Sequence, residues 1–128
     1  MRVVAVRSWL LASVKVFVAF VFFGVAGAFL ASYTGVWDTP VAGFCAAFGV
    51  VVTAFLAAPQ LKLATATASF IVGAAVAWWL VGDSFWPEGL PKAYQPTNVP
   101  FYCTVAGGAF ALLWCAIFRL AAPHRAAV

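Results

Sequence analysis

Four long stretches of this sequence contain no Asp, Glu, Lys, Arg or His: Val16–Ala31, Val41–Ala58, Leu63–Gly82 and Phe101–Phe118. This interruption pattern constrains the fold more than any motif. A helix rises about 1.5 Å per residue, so runs of roughly 20 apolar residues match a hydrocarbon core of ~30 Å. Lys15 can extend its amine to the headgroups from within a span, which carries the first run back to Trp9. Arg119 does the same for the fourth, which continues to Ala122. The expected spans are therefore about 9–31, 41–58, 63–82 and 101–122, within a single transmembrane domain covering 1–128. Helix is the required conformation, because the backbone groups of an open strand would go unpaired in lipid. The expected fold class is all-α, an integral membrane four-helix bundle.

Composition excludes the soluble alternative. The chain has 128 residues, 66% of them hydrophobic and 8% charged. A soluble domain carries roughly 25% charged residues, and a chain this small could not hide so much apolar surface from water. The net charge of +4 is no sign of nucleic-acid binding, since the basic residues form no stripe.

The positions of the charges give an orientation. Arg2, Arg7, Lys15, Lys62, Arg119 and Arg125 fall on one side of a four-span chain, with His124 beside them, whereas Asp38, Asp83 and Glu88 fall on the other, with Lys92 as its single base. Basic loops remain in the cytoplasm, which places both termini inside. The outline fits a bacterial inner (cytoplasmic) membrane. Arg2, Arg7 and the small residues Ala26-Gly27-Ala28 resemble a signal peptide, but the apolar run exceeds the usual 7–15 residues of an h-region and reads as a retained span.

Prolines punctuate the connections. Pro40, Pro59, Pro100 and Pro123 bracket the runs, and the segment from Asp83 to Pro100 adds Pro87, Pro91 and Pro96. That spacing disfavours helix and predicts an extended or turn-rich lid over the outer helix ends. Tyr33, Trp37, Phe85, Trp86, Tyr94, Phe101 and Tyr102 cluster on the same side, as an interfacial aromatic belt does. Trp37 and Trp86, with Lys15 on the opposite side, are the candidate lipid or partner contacts.

Every span carries a pair of small residues one turn apart: Gly24/Ala28 and Gly27/Ala31, Gly43/Ala47, Gly73/Ala77, and Gly107/Ala111. Such pairs flatten a helix face so that two backbones approach closely, either inside a bundle or between subunits. Thr65, Thr67 and Ser69 in the third span are a candidate polar seam, with Thr53 and Thr104 as further hydroxyls.

Chemistry-bearing residues are few. One histidine cannot supply both axial ligands of a haem. No carboxylate falls within a run, where a proton-coupled carrier normally keeps one. No phosphate loop, HExxH or nucleophile elbow is present. Cys45, Cys103 and Cys115 lack metal-ligand spacing. Cys45 and Cys103 sit at similar depth near the outer boundary, and the expectation is that they behave as small buried hydrophobes. No catalytic, cofactor-binding or metal-binding residue is therefore assigned.

Two families of four-span proteins share this size. Small multidrug transporters rely on a glutamate in the first span, and this first span has none. Fluoride channels rely on polar span residues, asparagine above all, and the single Asn98 lies in a loop. Small membrane subunits of multi-part solute transporters share only the outline. The sequence points first to a non-catalytic membrane protein, an accessory or assembly subunit of a larger complex or a homo-oligomer. The alternative is a small channel or transporter whose pathway forms on oligomerisation. The expected partners are the bilayer and other membrane subunits or copies of itself.

Overall fold

A computed structural model describes residues 2–122; His124 and Arg125, assigned above to the basic side, lie outside the described residues. Four helices account for most of it: α1 (Arg2–Thr34), α2 (Asp38–Ala57), α3 (Lys62–Val81) and α4 (Val99–Ala121). All four are long and apolar enough to cross a membrane. They cover the four apolar runs, with one large extension. α1 has 33 residues and begins seven residues before the expected span, giving a rod of about 50 Å. Val3, Val4 and Val6 continue the apolar pattern, and nothing among Arg2–Trp9 terminates a helix.

The first two prolines of the brackets act differently from each other. α2 starts at Asp38, so Pro40 is inside its first turn rather than before it. The amide it lacks is one that a first turn leaves unpaired anyway. Pro100 occupies the same kind of position in α4. Pro59 instead follows the end of α2, and Leu61, at φ 49°, turns the chain into α3. Between α1 and α2 the connection is only three residues, with Gly35 at φ 69°, a conformation that glycine adopts without penalty.

The α3–α4 connection, for which proline spacing predicts an extended or turn-rich segment, is a small hairpin. Strand β1 (Ser84–Phe85) pairs antiparallel with β2 (Pro96–Thr97). The Trp86 amide donates to the Gln95 carbonyl and the Tyr94 amide to the Trp86 carbonyl, both at 3.0 Å. The prolines permit this because Pro87 and Pro91 fall in the turn and Pro96 sits on a two-stranded sheet with a free edge.

α2 is the hub. It contacts each of the other helices, α3 and α4 also pack on one another, and α1 rests principally on α2. The architecture is thus a three-helix cluster with a fourth helix laid along α2. The core lies where the three meet: Val51 of α2, Ala66 of α3 and Ala111 of α4, closed by Phe48, Val52, Phe55, Phe70 and Leu112. Long apolar side chains elsewhere point outward on every helix, among them Phe17, Phe29, Ile71, Trp79, Leu113 and Phe118.

Candidate functional site

The four helices meet in two ways. Along α1–α2–α4 the helices approach closely at glycines, and at Gly107 backbone meets backbone. A Cβ on Gly107 of α4 would overlap the backbone of Phe44, whose Cα and carbonyl carbon would be 2.9 Å away. One turn along the same seam, a Cβ on Gly43 of α2 would collide with the Thr104 hydroxyl. Each helix therefore presents a glycine where the other's chain passes. On the other side of α2, a Cβ on Gly27 would stand 2.9 Å from Cβ and 3.0 Å from Sγ of Cys45, and 3.0 Å from Cα of Ala42. Gly24 is looser, with Ala46 Cβ at 3.6 Å. Two glycines outside the expected pairs are equally tight. Gly49 lies under the Phe23 ring, where a Cβ would overlap it, and a Cβ on Gly108 would stand 2.6–2.9 Å from the ring of Phe70. The double glycine at 107–108 was the available signal for the second. Glycine inside a helix costs about 1 kcal/mol relative to alanine, so two in succession imply a packing reason.

Gly73 breaks the pattern. It lies seven residues from Ala66 and four from Ala77, both buried, and so within about 40° of each around α3. Yet a Cβ added there would meet nothing within 4 Å. α3 is held above and below this point by aromatic contacts: Phe70 on Gly108, and Trp78 against Phe101 with ring centroids 5.2 Å apart and nearly perpendicular. Between them is a recess open to the surroundings.

The candidate polar residues do not share one line. At about 100° per residue, Thr65, Ser69 and Gly73 step along one flank of α3, and Thr67 faces the opposite flank. Thr65 donates to the Leu61 carbonyl at 3.2 Å, Thr67 to Leu63 at 2.8 Å and Thr104 to Pro100 at 2.7 Å. Each bond is to the helix's own preceding turn, which satisfies the hydroxyl without a neighbour. Among the described residues no polar or charged side chain is fully buried, and no three His, Cys, Asp or Glu side chains converge. Cys45 and Cys103 are both free thiols, and Cys45 faces Gly27 of α1. Lys15 is exposed on α1.

At the hairpin end, Trp37 and Trp86 meet each other, with centroids 5.3 Å apart and planes at 41°. The pair ties the α1–α2 connection to the hairpin. A cavity of about 480 Å³ opens between the hairpin base and the ends of α3 and α4. Asp83, Asn98 and Tyr102 contribute its polar groups. Ser84 also lines it, but its hydroxyl is taken up by the Val81 carbonyl at 2.7 Å. At the basic end, a shallow groove of about 540 Å³ runs along the flank of α3 that carries Thr67, and Arg119 of α4 closes it. No known protein family, curated protein or solved structure matches the chain.

Proposed function

We propose that this chain is an integral membrane protein of a bacterial inner membrane, crossing four times with both ends in the cytoplasm. In this reading it acts without catalysis, by lateral association with other membrane subunits or with copies of itself. The carrying observation is the recess at Gly73. The small-residue faces at Gly27, Gly43 and Gly107 are filled by neighbours within the chain, and the face on α3 is not. In lipid there is no hydrophobic drive between helices, and close van der Waals packing on small residues supplies much of the association energy. An unfilled small-residue face on a helix with an apolar exterior suits a side chain from another helix.

A second reading has its own support. Thr65 and Ser69 stand at four-residue intervals before Gly73 on the same flank. Copies packed at this recess would bring hydroxyls together at their interface, as a pathway formed on oligomerisation requires.

The test is gentle extraction from the native membrane followed by mass spectrometry of what travels with the chain. The assembly reading expects stoichiometric companions or a defined homo-oligomer, with Gly73→Leu releasing them while the chain stays folded. A wild-type chain that runs as a lone monomer overturns it. A homo-oligomer that passes ions or small solutes in liposomes favours the second reading.

A further inference from the structure

The groove at the basic end combines a wall for hydrocarbon with a cation at one edge. Leu63, Ala64, Ala68 and Ile71 supply an apolar strip along α3. Ala64 and Ala68 are a turn apart and keep the strip concave. Thr67 adds no free donor, because its hydroxyl is committed to the Leu63 carbonyl. Arg119, exposed in the last turn of α4, stands across from this strip, and Lys62, also exposed, immediately precedes Leu63. Among the described residues, no acidic side chain lies at this end of the helices. Asp38 begins α2, and Asp83 and Glu88 belong to the hairpin connection, all at the far end of the helices. The first turn of α3 has no side-chain cap, so its positive end faces this side, where Arg119 offsets the negative end of α4.

The geometry points to an anionic phospholipid of the cytoplasmic leaflet as the occupant, its phosphate on Arg119 and one acyl chain along Ala64, Ala68 and Ile71. This rests on the membrane reading proposed above. Arg119 has the appropriate chemistry: its planar fork donates two parallel hydrogen bonds to a phosphate and its aliphatic stem lies along apolar surface. Basic pockets between helices on the cytoplasmic side are where anionic headgroups are selected. A charged head and an apolar body are both needed to fill this groove, and a free phosphate supplies only the first.

The full chain, purified in mild detergent, is titrated with phosphatidylglycerol and, separately, with phosphatidylcholine of identical acyl chains, and bound lipid is counted by native mass spectrometry. Phosphatidylglycerol is expected to bind the first site about fivefold more tightly, the factor contributed by one basic residue near an anionic headgroup. Arg119→Gln is expected to reduce that preference to unity, Arg119→Lys to retain most of it, and Lys92→Gln at the hairpin end to leave it unchanged. Ala68→Trp, which fills the strip, is expected to lose the first site for both lipids. Equal binding of the two lipids by the wild type overturns the proposal, as does a preference that Arg119→Gln leaves undiminished or a first site that survives Ala68→Trp. Displacement of phosphatidylglycerol by millimolar inorganic phosphate also overturns it, because the acyl chain would then contribute nothing. Alkaline carbonate extraction of native membranes separates the two levels. A chain that washes out refutes the membrane reading itself, and a chain that stays in while showing no lipid preference refutes only this site.

Discussion

The α2–α4 seam and the seat of α3 both pair glycines with bulkier residues, and they are packed to different standards. In the seam, Gly107 lies against the backbone of Phe44 and Gly43 against the Thr104 side chain, so neither has room for a side chain of its own. At the seat, rings do the joining: Phe70 covers Gly108, Trp78 meets Phe101, and Gly73 between them touches nothing. A backbone-to-backbone seam is stiff, since neither side can move without carrying a helix along. Rings repack at lower cost, and a recess between them leaves room for another chain. The difference assigns fixed structure to α1–α2–α4 and adaptability to α3.

The severest challenge to that division is Gly107→Leu. Its side chain would have to occupy the backbone of Phe44, so α2 and α4 cannot keep their spacing. Overpacking of a close-packed interior typically costs about 1–3 kcal/mol, and more where backbone must shift. The expected result is a loss of at least about 3 kcal/mol, read as thermal unfolding in detergent or as failure to yield monodisperse protein. If the variant melts like the wild type, the seam is not the rigid element.

Gly27→Ala tests the second seam with a smaller insult. One methyl would stand 2.9–3.0 Å from Cys45 and Ala42. Ala42 Cα is backbone and cannot rotate aside, whereas the Cys45 thiol can. A destabilisation of about 1–2 kcal/mol follows from partial relief. Pairing it with Cys45→Ala should recover part of the loss, because the thiol contact disappears, and full additivity of the two changes would deny the contact.

The hairpin end offers a third comparison, between fixed helices and the loop that joins them. Trp37 and Trp86 come from different connections and meet only in the folded chain. Aromatic pairs contribute about 0.5–1.5 kcal/mol beyond the area they bury. A double-mutant cycle with Trp37→Ala and Trp86→Ala should return a coupling in that range. Zero coupling would leave the two rings as independent interfacial anchors, the role the sequence first suggested for them.

How far the sequence reached follows from the kind of signal each feature leaves. Helices were legible because twenty apolar residues in a row permit little else, and three of the four have ends within a few residues of the runs. The start of α1 was not, because Arg7 and Ser8 read as a boundary in hydropathy while the backbone has no reason to stop there. Pro40 misled for a related reason: proline marks a helix start but does not say whether it precedes the first turn or belongs to it. Small-residue pairs showed that faces exist, and spacing alone could not tell which were filled. Gly73 and Gly107 have the same pattern, and only the positions of the neighbouring helices separate them. The Trp37–Trp86 contact and the groove closed by Arg119 join residues from different elements, for which a single sequence holds no local signal.

The smallest expected effect is also the one that decides the comparison, because its sign is opposite to the rest. Gly73→Ala adds a methyl where nothing lies within 4 Å, so it brings no steric cost. It also replaces glycine in the interior of α3, where alanine is favoured by roughly 0.8–1 kcal/mol in helix propensity. Ordering of the helix by its neighbours already restricts the chain, so the gain is between zero and about 1 kcal/mol. A small rise in the unfolding temperature of the isolated chain is expected, beside the loss from Gly27→Ala under the same conditions. Should Gly73→Ala destabilise the isolated chain as much as Gly27→Ala does, α3 closes on its neighbours at that point and the recess is filled from within. Should it stabilise the isolated chain yet weaken an assembly recovered from the membrane, the recess is where the other subunit packs, and the methyl takes room that the partner needs.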